Sequence, residues 1–93
     1  MPRIEADDLA SHRELVWGRI LDAFGAEMDL HGFAELTLAG VAARAGLGRS
    51  SLYTYTRDKT DLMMRYVDRS VERYLTRMRE ELAALPGAAE RLA

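Results

Sequence analysis

Apolar residues recur along the first third of the chain with helical spacing. Val16, Ile20, Phe24 and Met28 fall every fourth residue, flanked by Trp17 and Leu21, and so line one stripe of a helix. Ser11-His12-Arg13-Glu14 fits a capping box, with Ser11 as N-cap and Glu14 at the third helical position. Residues 1–10 then read as a flexible acidic arm. Gly18 and Gly25 interrupt the stripe, each costing roughly 1 kcal/mol relative to alanine. The pattern stops at His31-Gly32, where Gly32 is expected in the left-handed conformation with Phe33 folded back on Met28.

The next elements are shorter. Thr37 is a good N-cap for a helix from Leu38 to Ala45, whose Val41, Ala42 and Ala45 share one face. Gly46 ends it, and Leu47 staples the turn. A third helix is expected over Arg49–Thr56, with Leu52 its one plain core residue. Asp58 to Asp61 forms another cap and opens a long fourth helix to about Ala84. Met63, Val67, Val71, Tyr74, Met78 and Leu82 form its apolar face, and Leu85-Pro86-Gly87 stops it. The predicted organisation is all-α: an arm at 1–10, a three-helix unit at 11–57, a linker helix at 58–85, and at 86–93 the start of a further element.

Ninety-three residues allow one small domain with a modest core. The longest apolar runs fall far short of the ~20 residues of a membrane span. MPRIEADDLA lacks the apolar centre of a signal peptide. There is no cysteine, hence no disulfide framework and no thiolate metal site. By elimination these features point to the cytoplasm. The net charge of −2 hides an uneven distribution. Residues 1–36 carry three basic and eight acidic groups, residues 37–79 nine and four, and residues 80–93 one and three. The middle segment is therefore +5, and phosphate responds to the local patch rather than to the total.

Thr37 to Lys59 concentrates the chemistry. A short helix, a glycine turn and a second short helix led by Arg49-Ser50-Ser51 make the layout of a helix-turn-helix, whose second helix enters the DNA major groove. Arg49 can pair bidentately with guanine, worth ~1–3 kcal/mol of discrimination. Ser50 and Ser51 can donate to bases or phosphates, or can simply cap. Tyr53 can reach a phosphate through its hydroxyl, and Thr54 a thymine methyl or the backbone. Tyr55 is either a DNA contact or a packing residue. Thr37 and Lys59 sit at helix starts, where free N–H groups favour phosphate. Arg44, Gly48 and Arg57 are further phosphate candidates.

The residues Ile20-Leu21-Asp22-Ala23, His31-Gly32-Phe33, Thr37-Leu38, Val41-Ala42, Arg44-Ala45-Gly46-Leu47, Leu52-Tyr53 and Lys59 to Leu62 resemble the N-terminal DNA-binding domain of TetR-family transcriptional regulators. The resemblance covers residues 20–62. It implies a three-helix DNA-binding domain, with Thr37, Arg49, Ser50, Ser51, Tyr53, Thr54, Tyr55 and Lys59 at or near double-stranded DNA. It implies a homodimer on a palindromic operator, most often as a repressor. It also implies a fourth helix leading, from about residue 86, into a second domain that holds the dimer interface and binds a small-molecule effector. The chain departs from the family pattern at Gly48, where a hydroxyl N-cap is usual, at Thr56, where an apolar residue is common, and at Met28, in place of a frequent Phe. Family members run to roughly twice this length, so the chain is expected to be a fragment or a truncated form lacking the effector domain.

Other features have plainer readings. Arg65, Arg69, Arg73 and Arg77 repeat every four residues and read as a solvated face laced with pairs such as Asp61–Arg65 and Arg77–Glu81. His31 reads as a cap near the negative end of its helix. There is no nucleophile–base set, no catalytic residue, no metal-ligand cluster and no cofactor motif, which argues against an enzyme. The competing reading is a helical protein-interaction module without DNA readout.

Overall fold

The computed structural model describes residues 2–87 as four helices: α1 (Pro2–His31), α2 (Leu38–Ala45), α3 (Arg49–Tyr53) and α4 (Lys59–Ala84). The all-α class agrees with the periodicity. Two boundaries do not. α1 starts at Pro2 and passes through Ser11, so residues 2–10 are helical and Ser11 caps nothing. Pro2 suits a first helical position, where its missing N–H is no loss. Glu5, Ala6, Leu9 and Ala10 then propagate a helix that the capping-box reading cut short. α3 ends at Tyr53, not Thr56, because Thr54 already forms its C-cap. The element expected at 86–93 lies, from residue 88 onward, outside the described residues.

One core draws on every element. Ile20 and Phe24 of α1, Leu36 of the following loop, Val41 of α2, Leu52 of α3 and Leu62 of α4 are all fully buried together. Gly32 and Gly46 take left-handed φ values of 77° and 74°, which a Cβ would strain, and stop α1 and α2 as expected. At Gly46 the stop is a double one: the Leu47 N–H donates to the Ala42 carbonyl at 2.9 Å and the Gly46 N–H to Ala43 at 3.1 Å. The two glycines within α1 differ. A Cβ on Gly25 would sit 2.9 Å from the Tyr66 ring, so Gly25 makes room for that ring beside Phe24, with centroids 5.5 Å apart. A Cβ on Gly18 would meet nothing within 4 Å. Gly18→Ala is therefore expected to raise stability by about 1 kcal/mol in urea unfolding, and Gly25→Ala to lower it.

α4 has two sides. Leu62, Met63 and Tyr66 face the core. Val67, Val71, Tyr74, Met78 and Leu82, expected on the same apolar face, are exposed instead. Arg65 and Arg69 are not merely solvated. Arg65 lies over the Trp17 ring at 4.3 Å and 3.9 Å from Asp61, and Arg69 pairs with Asp22 at 2.9 Å. Arg77 and Glu81 form no ion pair among the described residues.

Thr56 is the unexpected core residue. It is buried, and its hydroxyl lies 3.0 Å from both the Asp58 carbonyl and Asp61 Oδ2. The Arg57 N–H donates to the same carboxylate at 3.3 Å. These donors, the Thr56 hydroxyl foremost, hold the Asp61 carboxyl below its ordinary value of 3.8. A depressed carboxyl contributes stability that is present above 3.8 and lost as pH falls through the lower folded value. Thr56→Val is expected to return the Asp61 titration toward 3.8 by NMR and to start acid unfolding at higher pH.

Candidate nucleic-acid interface

The site is built on the turn between α2 and α3. Thr37 caps α2, its hydroxyl oxygen accepting from the Gly40 N–H at 3.0 Å. Gly48 occupies the N-cap of α3 at φ −72°, ψ 156°, an ordinary extended conformation, with open space where a Cβ would go and no side-chain cap. Glycine is thus not required there. Gly48→Ser is expected to stabilise the domain by ~0.5–1 kcal/mol, through a new cap and a less flexible unfolded chain.

Leu52 anchors α3 to the core and turns its other side chains outward. Arg49, Ser50, Ser51 and Thr54 are exposed, and so is Tyr53, despite its ring. An open groove of about 530 Å³ runs between α3 and the start of α2. It brings together Thr37, Arg49, Tyr53 and Lys59, four of the residues picked out in the sequence, with Glu35 on its rim. On the other side of Tyr53 a second hollow of about 340 Å³ holds Thr54, Tyr55 and Arg57 with Asp61 and Arg65. Tyr53 is the ridge between them. The surface offers hydroxyls, a guanidinium and a phenol on one short helix whose backbone is open to approach.

Several of the predicted residues have other partners. Tyr55 is half-buried, packed edge-on to Trp17 at 5.3 Å and covered by Arg13 at 5.0 Å. Its ring belongs to the packing reading. The Thr54 hydroxyl donates to the Ser51 carbonyl at 2.6 Å, closing α3 on itself. Arg44, a phosphate candidate in the sequence, faces α1: its Nε and Nη2 both lie 3.0 Å from Glu27 Oε2. Lys59 uses its three donors inward, on the carbonyls of Phe33 at 2.8 Å and of Ala34 and Leu36 at 3.0 Å. It also lies over the Phe33 ring at 5.1 Å. Lys59 thus lines the groove while tying the α1–α2 loop to α4. Arg57 is exposed and makes no side-chain hydrogen bond or ion pair among the described residues.

Three residues that frame the site escaped the sequence reading. Glu27 is a buried carboxylate on the apolar side of α1, three residues past Phe24 and seven past Ile20; an acid at that register was the available signal. It also packs against Gly40, where any Cβ would collide with Glu27 Oε1. Arg19 Nη2 donates to the Ala45 carbonyl at 2.6 Å and so caps the C-terminal end of α2. Glu35 places a negative charge on the groove rim.

Among the described residues no group of His, Asp and Glu could hold a metal ion. No helix there is long and apolar enough to cross a membrane. The family model for bacterial regulatory proteins of the tetR family matches residues 20–66, half of the chain, spanning the core half of α1, both short helices and the first turns of α4. No curated protein and no solved structure matches.

Proposed function

Since the chain belongs to the tetR family of bacterial regulatory proteins, we propose that it reads a specific double-stranded DNA site by setting α3 into the major groove. The observation that carries this reading is the exposed row of Arg49, Ser50, Ser51 and Tyr53 on a helix whose only buried residue is Leu52. Arg49 is the base-reading residue, pairing with guanine O6 and N7. Tyr53, Thr37 and the serines hold phosphates, and Arg57 adds long-range attraction. The regulator acts as a repressor in the cytoplasm, on a palindromic operator, as a homodimer with half-sites one helical turn or ~34–36 Å apart. An effector held by a further helical domain changes that separation and releases the DNA.

The test separates base reading from charge. Selection from a random duplex pool at low salt is expected to enrich one motif with two-fold symmetry. Arg49→Ala is expected to lose ~5–150-fold on the selected site and little on random DNA, corresponding to ~1–3 kcal/mol of base discrimination. Equal losses on both would remove Arg49 from base recognition. No binding to any duplex would favour a protein-interaction module carried on the same fold.

A further inference from the structure

Two arginines beside α3 are held in place while their hydrogen-bond donors stay unspent. Arg13 of α1 lies over the Tyr55 ring at 5.0 Å, and Arg65 of α4 over the Trp17 ring at 4.3 Å. The two rings meet edge to face at 5.3 Å, so one aromatic pair carries both guanidiniums. Stacking covers the face of a guanidinium and leaves the N–H groups at its rim able to donate. Both arginines are exposed. Arg13 makes no hydrogen bond or ion pair among the described residues, and the 3.9 Å contact of Arg65 with Asp61 is beyond hydrogen-bond reach.

Arg57 completes the group. It is exposed, and with Arg65 it lines the hollow of about 340 Å³ beside Tyr53. Asp61 is the one carboxylate among the lining residues, and its Oδ2 already takes the Thr56 hydroxyl at 3.0 Å and the Arg57 N–H at 3.3 Å. The acids nearest Arg13 in α1, Glu14 and Asp8, stand about 100° and about 140° around the helix from it, off the face turned to Tyr55. This hollow and the groove lined by Thr37, Arg49 and Lys59 bracket α3, with Tyr53 between them. A helix ~10–12 Å across fills a major groove ~12 Å wide, so each of its flanks meets one phosphate backbone.

We propose that Arg13, Arg57 and Arg65 form a phosphate seat for the DNA strand on the Tyr55 side of α3, with Tyr55 and Trp17 as the platform that presents Arg13 and Arg65. The seat rests on the DNA reading proposed above and extends it. Arg13 and Trp17 precede residue 20, where the family match begins, so this contact comes from the part of α1 outside the match. The rings hold two long side chains before DNA arrives, which removes part of the ordering cost of binding. Tyr55 acts on DNA through Arg13, from within the packing.

A salt series on the 93-residue chain tests the seat, with the duplex selected from the random pool and with a random duplex. Glutamine in place of either arginine keeps a stem and a planar amide on the ring and removes the charge. Arg13→Gln and Arg65→Gln are each expected to lower the slope of log K against log salt by about 0.9, and together by about 1.8. The matching loss is about eightfold per arginine at ~0.1 M salt, on both duplexes, since a phosphate contact is blind to sequence. Arg13→Lys and Arg65→Lys are expected to keep the slope. Unchanged slopes in the glutamine variants overturn the seat, and a lowered Tm beside them marks arginines that only cover rings. A loss confined to the selected duplex overturns it too. In both cases the DNA reading stands if the unaltered chain selects its motif. Falling slopes without any selected motif keep the seat and remove base reading. No binding to any duplex at low salt sinks both.

Discussion

Arg44→Ala is expected to destabilise the domain by about 2–3 kcal/mol, more than removal of any fully exposed charge. The reason lies in Glu27. The Glu27 side chain is only 10% exposed and its carboxylate receives two guanidinium nitrogens at 3.0 Å; His31, the other cation nearby, is at 3.9 Å and mostly exposed. Removing Arg44 leaves a desolvated charge without its partner, whereas removing an exposed lysine or arginine leaves nothing unsatisfied. Because 42% of the Arg44 side chain is exposed, water can enter and soften the loss below the ~3–5 kcal/mol of a fully buried pair. Arg44→Ala with Glu27→Leu is expected to recover most of the stability, since the orphaned charge goes with its partner. Urea unfolding of the three variants at one chain concentration checks this. If the double variant is no better than Arg44→Ala, the pair is not what holds α1 to α2.

Lys59→Ala is expected to cost about 2 kcal/mol, lowering Tm by roughly 8–16 °C for a domain of this size. Three loop carbonyls share its ammonium, and all three lose a charge-assisted donor together. The effect on DNA should differ from that read in the sequence. A lysine serving mainly as a phosphate partner would lower the salt slope by about one when removed. A lysine whose donors face the protein is expected to leave the slope nearly unchanged and to reduce binding through a displaced Thr37 and groove wall. Measuring the slope and Tm on the same variant distinguishes the two: a full unit of slope with an unaltered Tm would falsify the clamp.

The same contrast runs through the site. Thr37, Gly46, Gly48 and Asp58 were legible because a cap is a local event: one side chain or one left-handed residue within a few positions of the groups it satisfies. The partners of Arg44, Lys59 and Arg19 lie 17 to 26 residues away in the chain, and periodicity carries no information about such pairs. A cation beside a recognition helix reads the same whether it meets a phosphate or a carbonyl. Thr56 was legible as a departure from an apolar pattern but not as a solution, since its hydroxyl is satisfied by the Asp58 carbonyl and the Asp61 carboxylate across the turn.

From its residue pattern alone the chain determined four helices, the glycine stops of α1 and α2, the outward row Arg49, Ser50, Ser51 and Tyr53, and the basic middle segment, because helical period and capping act over one or two turns. Folding in three dimensions decided the rest. Tyr55 went to Trp17 by ring packing, Arg44 to the buried Glu27 carboxylate, where an unpaired charge would be costly, and Lys59 to three loop carbonyls. The apolar residues of α4 were divided between the core and the surface, because α4 extends beyond the bundle and α1 reaches only its first turns.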